Sequence, residues 1–249
     1  MSFTIRSVSD TLEFFAKLPQ RAPLFQNLWR EGQLACALAQ DSAAAADLAL
    51  DIALSVAESR KVIFFGIQTS IARFVERTKG IKAPQLLCVD LSLADISPSE
   101  TDAFLKEMET TIVASGSKVC VVDSMFYLCE WYGKSGAARF FVARFREMSR
   151  RLGLSVLLAA NARKRIGNNP PTAEHLPKGT APYIDTVLGP QTQSDQDKSP
   201  AEKLPEQYPD GGSVSPRKET SAPGAPCAGT PSNPLKVWTL SELREKHLR

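Results

Sequence analysis

Five short apolar runs, each followed by a helical segment or a polar turn, restrict this chain to few architectures. Gln33–Leu38, Val62–Ile67, Leu86–Asp90, Val119–Asp123 and Ser155–Ala160 are apolar almost without interruption. A strand exposed on one face alternates, so continuous apolar runs of this length mark strands buried on both faces. The segments between them carry helical periodicity. In Asp47–Glu58 the polar positions Asp47, Asp51, Ser55 and Glu58 form one narrow stripe, which predicts a helix buried on most sides. Thr69–Lys79 reads as a second helix stopped at Gly80, and Ser99–Ala114 as a third with a Ser99/Asp102 cap. Ala137–Leu152 presents Phe141, Phe145, Met148 and Leu152 on one side and stops at Gly153. This alternation predicts an α/β fold with a mostly parallel central sheet and helices on both faces. Thr186–Leu188 can add a short edge strand.

The alternating region spans residues 31–189. Residues 1–30 read as an N-terminal arm, with a short helix at Thr11–Leu18 broken by Pro19 and Pro23, and Glu31-Gly32 as a turn before the first strand. Residues 190–234 hold nine of the seventeen prolines among many Ser, Asp, Gln and Gly residues. Such a segment buries too little apolar surface to offset its ordering entropy, so a disordered linker is expected. Residues 235–249 read as a short C-terminal helix bearing Trp238, Leu240, Leu243 and Leu248, either a solvated tail or a helix that docks a partner.

Cys36, Cys88 and Cys120 fall inside expected strands, and Cys129 and Cys227 stand apart. Without a Cys pair or a Cys/His cluster, neither a metal site nor a disulfide framework is indicated. No apolar run reaches the roughly 20 residues that span a bilayer, and Met1-Ser2-Phe3-Thr4 lacks a signal-peptide layout. A cytoplasmic protein with no membrane partner is expected.

The first strand, the turn Ala39–Ala46 and the helix after it form the unit that holds phosphate in nucleotide-binding proteins. A working phosphate loop reads G-x-x-x-x-G-K-[ST]: glycines open the backbone N–H groups, lysine neutralises the phosphates and the hydroxyl holds Mg²⁺. Here the defining positions are Ala39, Ala44, Ala45 and Ala46. Asp41 and Asp47 add negative charge where a helix N-terminus would otherwise attract an anion. The alanine run also suits an ordinary helix start.

The chain resembles the RecA-like P-loop NTPase domain of DnaB-type replicative helicases, and more closely the RepA-like AAA-type ATPases of bacterial mobile elements. The resemblance runs from about Leu24 to Gly189, carried by Trp29–Leu34, Lys61–Ser70, Val119–Asp123 and Leu154–Arg165. It continues through Pro171-Thr172, His175-Leu176, Lys178-Gly179 and Asp185. It implies a RecA-like fold with a degenerate Walker A motif. The family's catalytic glutamate matches Gln68, whose amide cannot take a proton from water. Asp123 matches the Walker B carboxylate that would hold Mg²⁺ through water, and also suits a simple strand-end cap. Asn161 matches a nucleotide-sensing position and equally suits a turn residue before Arg163. Gln68 and Asp123 are thus vestigial catalytic positions, with no catalytic residue, metal or cofactor expected.

Lys134, Arg139, Arg144, Arg146, Arg150, Arg151, Arg163, Lys164 and Arg165 make a basic stretch with Glu147 the one acid within it. Arg139, Arg146 and Arg150 share a helix face. In RecA-type hexamers the matching loops line the DNA channel, and clustered cations bind phosphates by releasing counterions. Trp131 and Tyr132 could stack on bases. A solvated helix face or an acidic protein partner accounts for the same charges.

Two readings follow. The first is a catalytically inactive RecA-like homologue, a DNA-associated, regulatory or scaffold subunit in replication or mobilisation of a bacterial element, with a homo-oligomer or an ATPase as partner. The second is an active ATP-dependent helicase or ATPase that uses ATP and Mg²⁺ at a displaced phosphate site. The string Gly133-Lys134-Ser135 offers that second reading little, because it follows the fourth strand. A decayed or engineered variant without activity is a third possibility.

Overall fold

The apolar runs become neighbouring strands of one sheet. The computed structural model describes residues 7–9, 21–83, 85–91, 93–167, 170–190, 237–239 and 242–243. β1 (Pro23–Phe25) and β2 (Trp29–Arg30) form an antiparallel hairpin whose turn residues Gln26 and Asn27 have φ of 48° and 58°. The main sheet contains β3 (Leu34–Ala39), β4 (Val62–Gly66), β5 (Leu86–Asp90), β6 (Val119–Val122), β7 (Ser155–Asn161), β8 (Thr186–Leu188) and β9 (Val237–Thr239). Their order is β8-β3-β7-β6-β4-β5-β9. Every neighbour pair is parallel except β5 with β9.

Strand parity sorts the core into two layers. On one face Ala35, Ala37, Val62, Phe64, Leu86, Cys88, Val121 and Leu157 pack with α1 (Ser42–Ala57) and α2 (Ile71–Arg77). On the other, Leu34, Cys36, Leu38, Ile63, Phe65, Val122 and Leu158 pack with α3 (Thr101–Ser115), α4 (Met125–Tyr132) and α5 (Ala137–Leu152). The expected α/β class, the parallel sheet and the bounds of α5 are as observed. Phe141, Phe145 and Met148 are buried as anticipated, and Gly153 ends α5 at φ 64°.

Several boundaries differ for local reasons. α1 starts at Ser42 rather than Asp47, so the expected turn Ala39–Ala46 shrinks to Gln40-Asp41. Alanine favours helix, and Asp41 caps the earlier start by accepting from the Ala44 N–H. α2 is shorter than Thr69–Lys79, because the Thr69 N–H is engaged by Asp123 and Ser70 provides the cap. The expected Ser99 cap is replaced by a Ser97/Glu100 capping box around Pro98, on a 3₁₀ turn that leads into α3. α4 was not anticipated, although Ser124 caps it and Gly133 ends it at φ 66°. At the C-terminus, Val237–Thr239 is a strand rather than part of a helix, and Leu243 is buried in the core.

The described residues form one compact unit. The expected linker beyond residue 190, the Thr11–Leu18 helix, and Leu240 and Leu248 lie outside the described residues. No helix among the described residues is long and apolar enough to cross a membrane.

Candidate functional site

In open parallel sheets ligands bind beyond the carboxyl ends of the strands, where the chain changes direction across the sheet. Here β3 leads into α1 and then to β4, passing over β7 and β6. The site is therefore the Gln40-Asp41 turn, the α1 N-terminus and the ends of β4, β6 and β7.

The first turn of α1 would be the phosphate cradle, and its Ala43, Ala44 and Ala45 N–H groups are already engaged. Asp41 Oδ1 accepts the Ala44 N–H at 2.8 Å, and its carbonyl oxygen accepts the Ala45 N–H at 3.1 Å. The Gln68 side chain engages the residues before Ala44. With its amide oriented to satisfy both ends, Gln68 accepts from the Ala43 N–H at 3.2 Å and donates to the Ser42 carbonyl oxygen at 3.0 Å. Ala39, Ala45 and Ala46 are buried, and Ala44 is exposed. No cation reaches this turn from the lysine position, and Asp41 places a carboxylate where phosphate would need positive potential. Asp47 plays no part in the turn, because Arg73 of α2 holds both of its oxygens, at 2.9 and 2.8 Å. Arg77 holds Asp51 one helical turn further on, at 2.8 Å. The residues present at this turn do not fit a Mg²⁺-nucleotide.

Asp123 follows β6 and is fully buried. Its carboxylate accepts three backbone N–H groups from the segment after β4: Ile67 at 2.7 Å, Gln68 at 3.0 Å and Thr69 at 2.7 Å. Burial pushes the Asp123 carboxyl above its ordinary range, and the N–H donors oppose that rise. A carboxylate so engaged is an organiser of the loop, and this geometry suits the strand-end cap better than an outer-sphere metal ligand. Gly66 permits the loop to fold back: a Cβ there would lie 2.8 Å from the Thr69 carbonyl oxygen. Asn161 ends β7 in register with Ala39.

The basic residues divide into separate groups. Arg163, Lys164 and Arg165 are exposed in the loop after β7, at the carboxyl end of the sheet, and none forms an ion pair with a described residue. That loop is anchored at both ends. Arg163 N–H donates to the His175 carbonyl oxygen at 2.9 Å, and Ile166 N–H donates to Gln40 Oε1 at 3.0 Å. The phosphate-turn residue Gln40 therefore holds the basic loop, a role sequence patterning gave no signal for. Arg139 is exposed near the start of α5 and packs along Gly179. Arg150 is exposed near its end, roughly 16 Å further along at 1.5 Å per residue.

Arg146 is not a surface cation. It forms a two-pronged, partly buried pair with Asp185, whose carboxylate also accepts the Leu34 N–H at 2.8 Å. The pair fixes the approach to β8 beside β3, so Arg146 leaves the expected nucleic-acid set. Arg144 and Arg151 pair with Asp102 and Glu109 of α3. Trp131 is also committed, with its indole N–H donating to the Ile96 carbonyl oxygen at 2.8 Å and its ring edge-on to Phe104. Tyr132 stacks on Phe140 and carries Lys134 4.9 Å from its ring centroid. Gly133-Lys134-Ser135 joins α4 to α5 rather than a strand to a helix, so it is no phosphate loop.

Burial pushes the thiols of Cys36 and Cys120 up to about 12 and that of Cys129 up to about 11, which leaves them unreactive at neutral pH. Among the described residues no group of three His, Cys, Asp or Glu side chains could hold a metal ion.

No protein-family model and no curated protein matches this chain. Among solved structures it is similar to the KaiC-like protein PH0186 from the hyperthermophilic archaeon Pyrococcus horikoshii OT3. The likeness covers 68% of this chain and 80% of that one, at 14% identity and a TM-score of 0.50. Identity this low bears on architecture alone. The strand order, the parallel sheet and this likeness together make the fold RecA-like.

Proposed function

We propose that the chain is a RecA-like protein that no longer hydrolyses nucleotide and acts as a regulatory or scaffold subunit associated with nucleic acid. One observation carries this reading: Asp41 and Gln68 engage the Ala43, Ala44 and Ala45 N–H groups of the α1 first turn, which would cradle phosphate. An entering triphosphate would have to break these bonds, displace Gln68 and approach the Asp41 carboxylate, without a lysine at the Ala45 position or a hydroxyl at the Ala46 position in return. The replaced positions cooperate in closing the turn. Gln68 bridges to α1, and Asp123 holds the loop that carries Gln68.

The nucleic-acid part rests on Arg163, Lys164 and Arg165, an exposed loop fixed by Gln40 beside the closed turn. Lys134 and Arg139 are further exposed cations, in the loop between α4 and α5 and near the start of α5. Replication or mobilisation of a bacterial element, with a homo-oligomer or an active ATPase as partner, is the setting the sequence resemblance suggests.

Titration with a fluorescent ATP analogue and a Mg²⁺-dependent phosphate-release assay test the first part. No saturable binding and no release is the expected result. Turnover abolished by Asp123→Ala, in a variant that stays folded, would overturn it. Binding to single- and double-stranded DNA across a salt series tests the second part. Affinity unchanged by Arg163, Lys164 and Arg165 all to Ala would remove the loop as the contact.

A further inference from the structure

The loop that carries Arg163, Lys164 and Arg165 is pinned at three backbone N–H groups. Ala162 N–H donates to the Ala39 carbonyl oxygen at 2.8 Å, which continues the pairing of β7 with β3 by one residue. Arg163 N–H donates to the His175 carbonyl oxygen at 2.9 Å, and Ile166 N–H donates to Gln40 Oε1 at 3.0 Å. The His175 anchor is itself held. Thr172 N–H donates to His175 Nδ1 at 3.1 Å, and the Thr172 carbonyl oxygen accepts the His175 N–H at 3.0 Å. Ala162 and Ile166 also pack against the core layer that contains α3, α4 and α5. Arg163, Lys164 and Arg165 therefore stand on a short arch with both feet fixed and all three side chains exposed.

Three adjacent cations repel one another, so an unpinned loop would spread them apart. The foot at Ile166 depends on a single side chain. Gln40 is exposed in the two-residue turn between β3 and α1, with buried Ala39 before it and the α1 cap Asp41 after it. Its amide does what a carboxylate there would not. A neutral oxygen accepts the Ile166 N–H without drawing the arginines into ion pairs, which leaves their charges for a ligand. The carboxylate of this turn, on Asp41, is directed instead to the Ala44 N–H at 2.8 Å. All three pins are made by the protein's own groups, so the arch forms without a nucleotide in the turn.

We propose that Gln40 is a positioning residue for nucleic-acid binding: it holds Arg163, Lys164 and Arg165 as a ready-formed arch for backbone phosphates, independent of nucleotide. The proposal rests on the nucleic-acid reading of this loop and adds what sets its affinity. Phosphate contacts contribute through counterion release, which depends on the number of cations. Holding the loop in place removes the cost of ordering it on binding, and that depends on Gln40. The two contributions are separable, because the first sets the salt slope and the second does not.

The test compares the full chain with its Gln40→Ala and Gln40→Glu variants. Native-state trypsin digestion, read by mass spectrometry, reports opening of the arch through cleavage after Arg163, Lys164 or Arg165, with no nucleic acid present. Loss of one hydrogen bond should make Gln40→Ala cleave about fivefold faster. Gln40→Glu keeps an acceptor and should stay within about twofold of the parent. Anisotropy of fluorescent single-stranded DNA across a salt series reports the function. Gln40→Ala should bind roughly two- to fivefold more weakly at each salt concentration, with the slope of the parent. ATP, added at constant ionic strength and free Mg²⁺, should leave the parent's affinity unchanged. The proposal is overturned if Gln40→Ala is cleaved no faster than the parent, or if Gln40→Glu is cleaved as fast as Gln40→Ala. It is also overturned if Gln40→Ala binds DNA as tightly as the parent or with a changed slope, or if ATP alters the parent's affinity. A parent that binds no DNA at low salt is a different result: it removes the nucleic-acid reading, and the proposal with it.

Discussion

Replacing Asp123 by alanine separates an organising carboxylate from a metal-binding one. The side chain is fully buried and accepts N–H groups from Ile67, Gln68 and Thr69 at 2.7–3.0 Å. Alanine leaves all three without a partner in a loop that has little access to water. At about 1 kcal/mol net for each lost bond, the variant should lose roughly 3 kcal/mol. For a chain of this size that is a fall in Tm of roughly 6–12 °C. Asp123→Asn should lie between, at a cost of about 1–2 kcal/mol, because its oxygen can still serve Ile67 and Gln68 while its NH₂ faces the Thr69 N–H. Urea unfolding followed by circular dichroism and tryptophan fluorescence gives both values, provided the two probes coincide. A carboxylate kept for metal or substrate sits in a strained, destabilised site, and its removal commonly leaves stability unchanged or raised. Asp123→Ala within about 0.5 kcal/mol of the parent, or above it, would therefore refute the organising role.

The same carboxyl carries a pH signature. Its folded pKa is raised by burial, so its contribution to stability is fully present below the unfolded value and is lost as pH rises through the folded one. The stability of the parent relative to Asp123→Asn should decline as pH rises above the ordinary carboxylate range, and an increase there would contradict the burial argument. Gly66→Ala should destabilise by about 2 kcal/mol, because its Cβ would lie 2.8 Å from a backbone oxygen; equal denaturation midpoints would refute this. Arg146→Ala should cost roughly 2 kcal/mol by stranding the partly buried Asp185, while leaving the salt dependence of any DNA binding untouched. Changing Arg163, Lys164 and Arg165 to Ala should do the reverse. Stability should stay within about 0.5 kcal/mol, and the slope of log affinity for single-stranded DNA against log salt should fall by about 2.

Much of the layered architecture was legible because burial on two faces leaves a plain mark. Leu34 to Ala39 and Val119 to Val122 are apolar at every position, as the centre of a covered sheet requires. α5 was legible to its ends, because its apolar face and Gly153 are both local features. α4 was missed, since its eight residues are too few for periodicity to stand out and its caps Ser124 and Gly133 are single residues. β9 was missed because three residues that include Trp238 suit either a strand or a helix, and only the open edge of β5 selects between them.

The candidate site shows the same division more sharply. Which groups the defining positions of the phosphate turn lack follows from the chain's own residues, because Ala39, Ala44, Ala45 and Ala46 stand where glycine, lysine and a hydroxyl would be. Tertiary structure alone decided what replaced them. Gln68 reaches α1 across 26 residues of chain, Asp123 reaches the same loop across more than 50, and Gln40 reaches Ile166 across 126. It also decided which arginines remain available, since Arg146 and Arg165 look alike in sequence until Asp185 is placed beside the first. Hydrogen bonds and ion pairs depend on side chains meeting within about 3 Å, and only the folded sheet brings such distant residues to that separation.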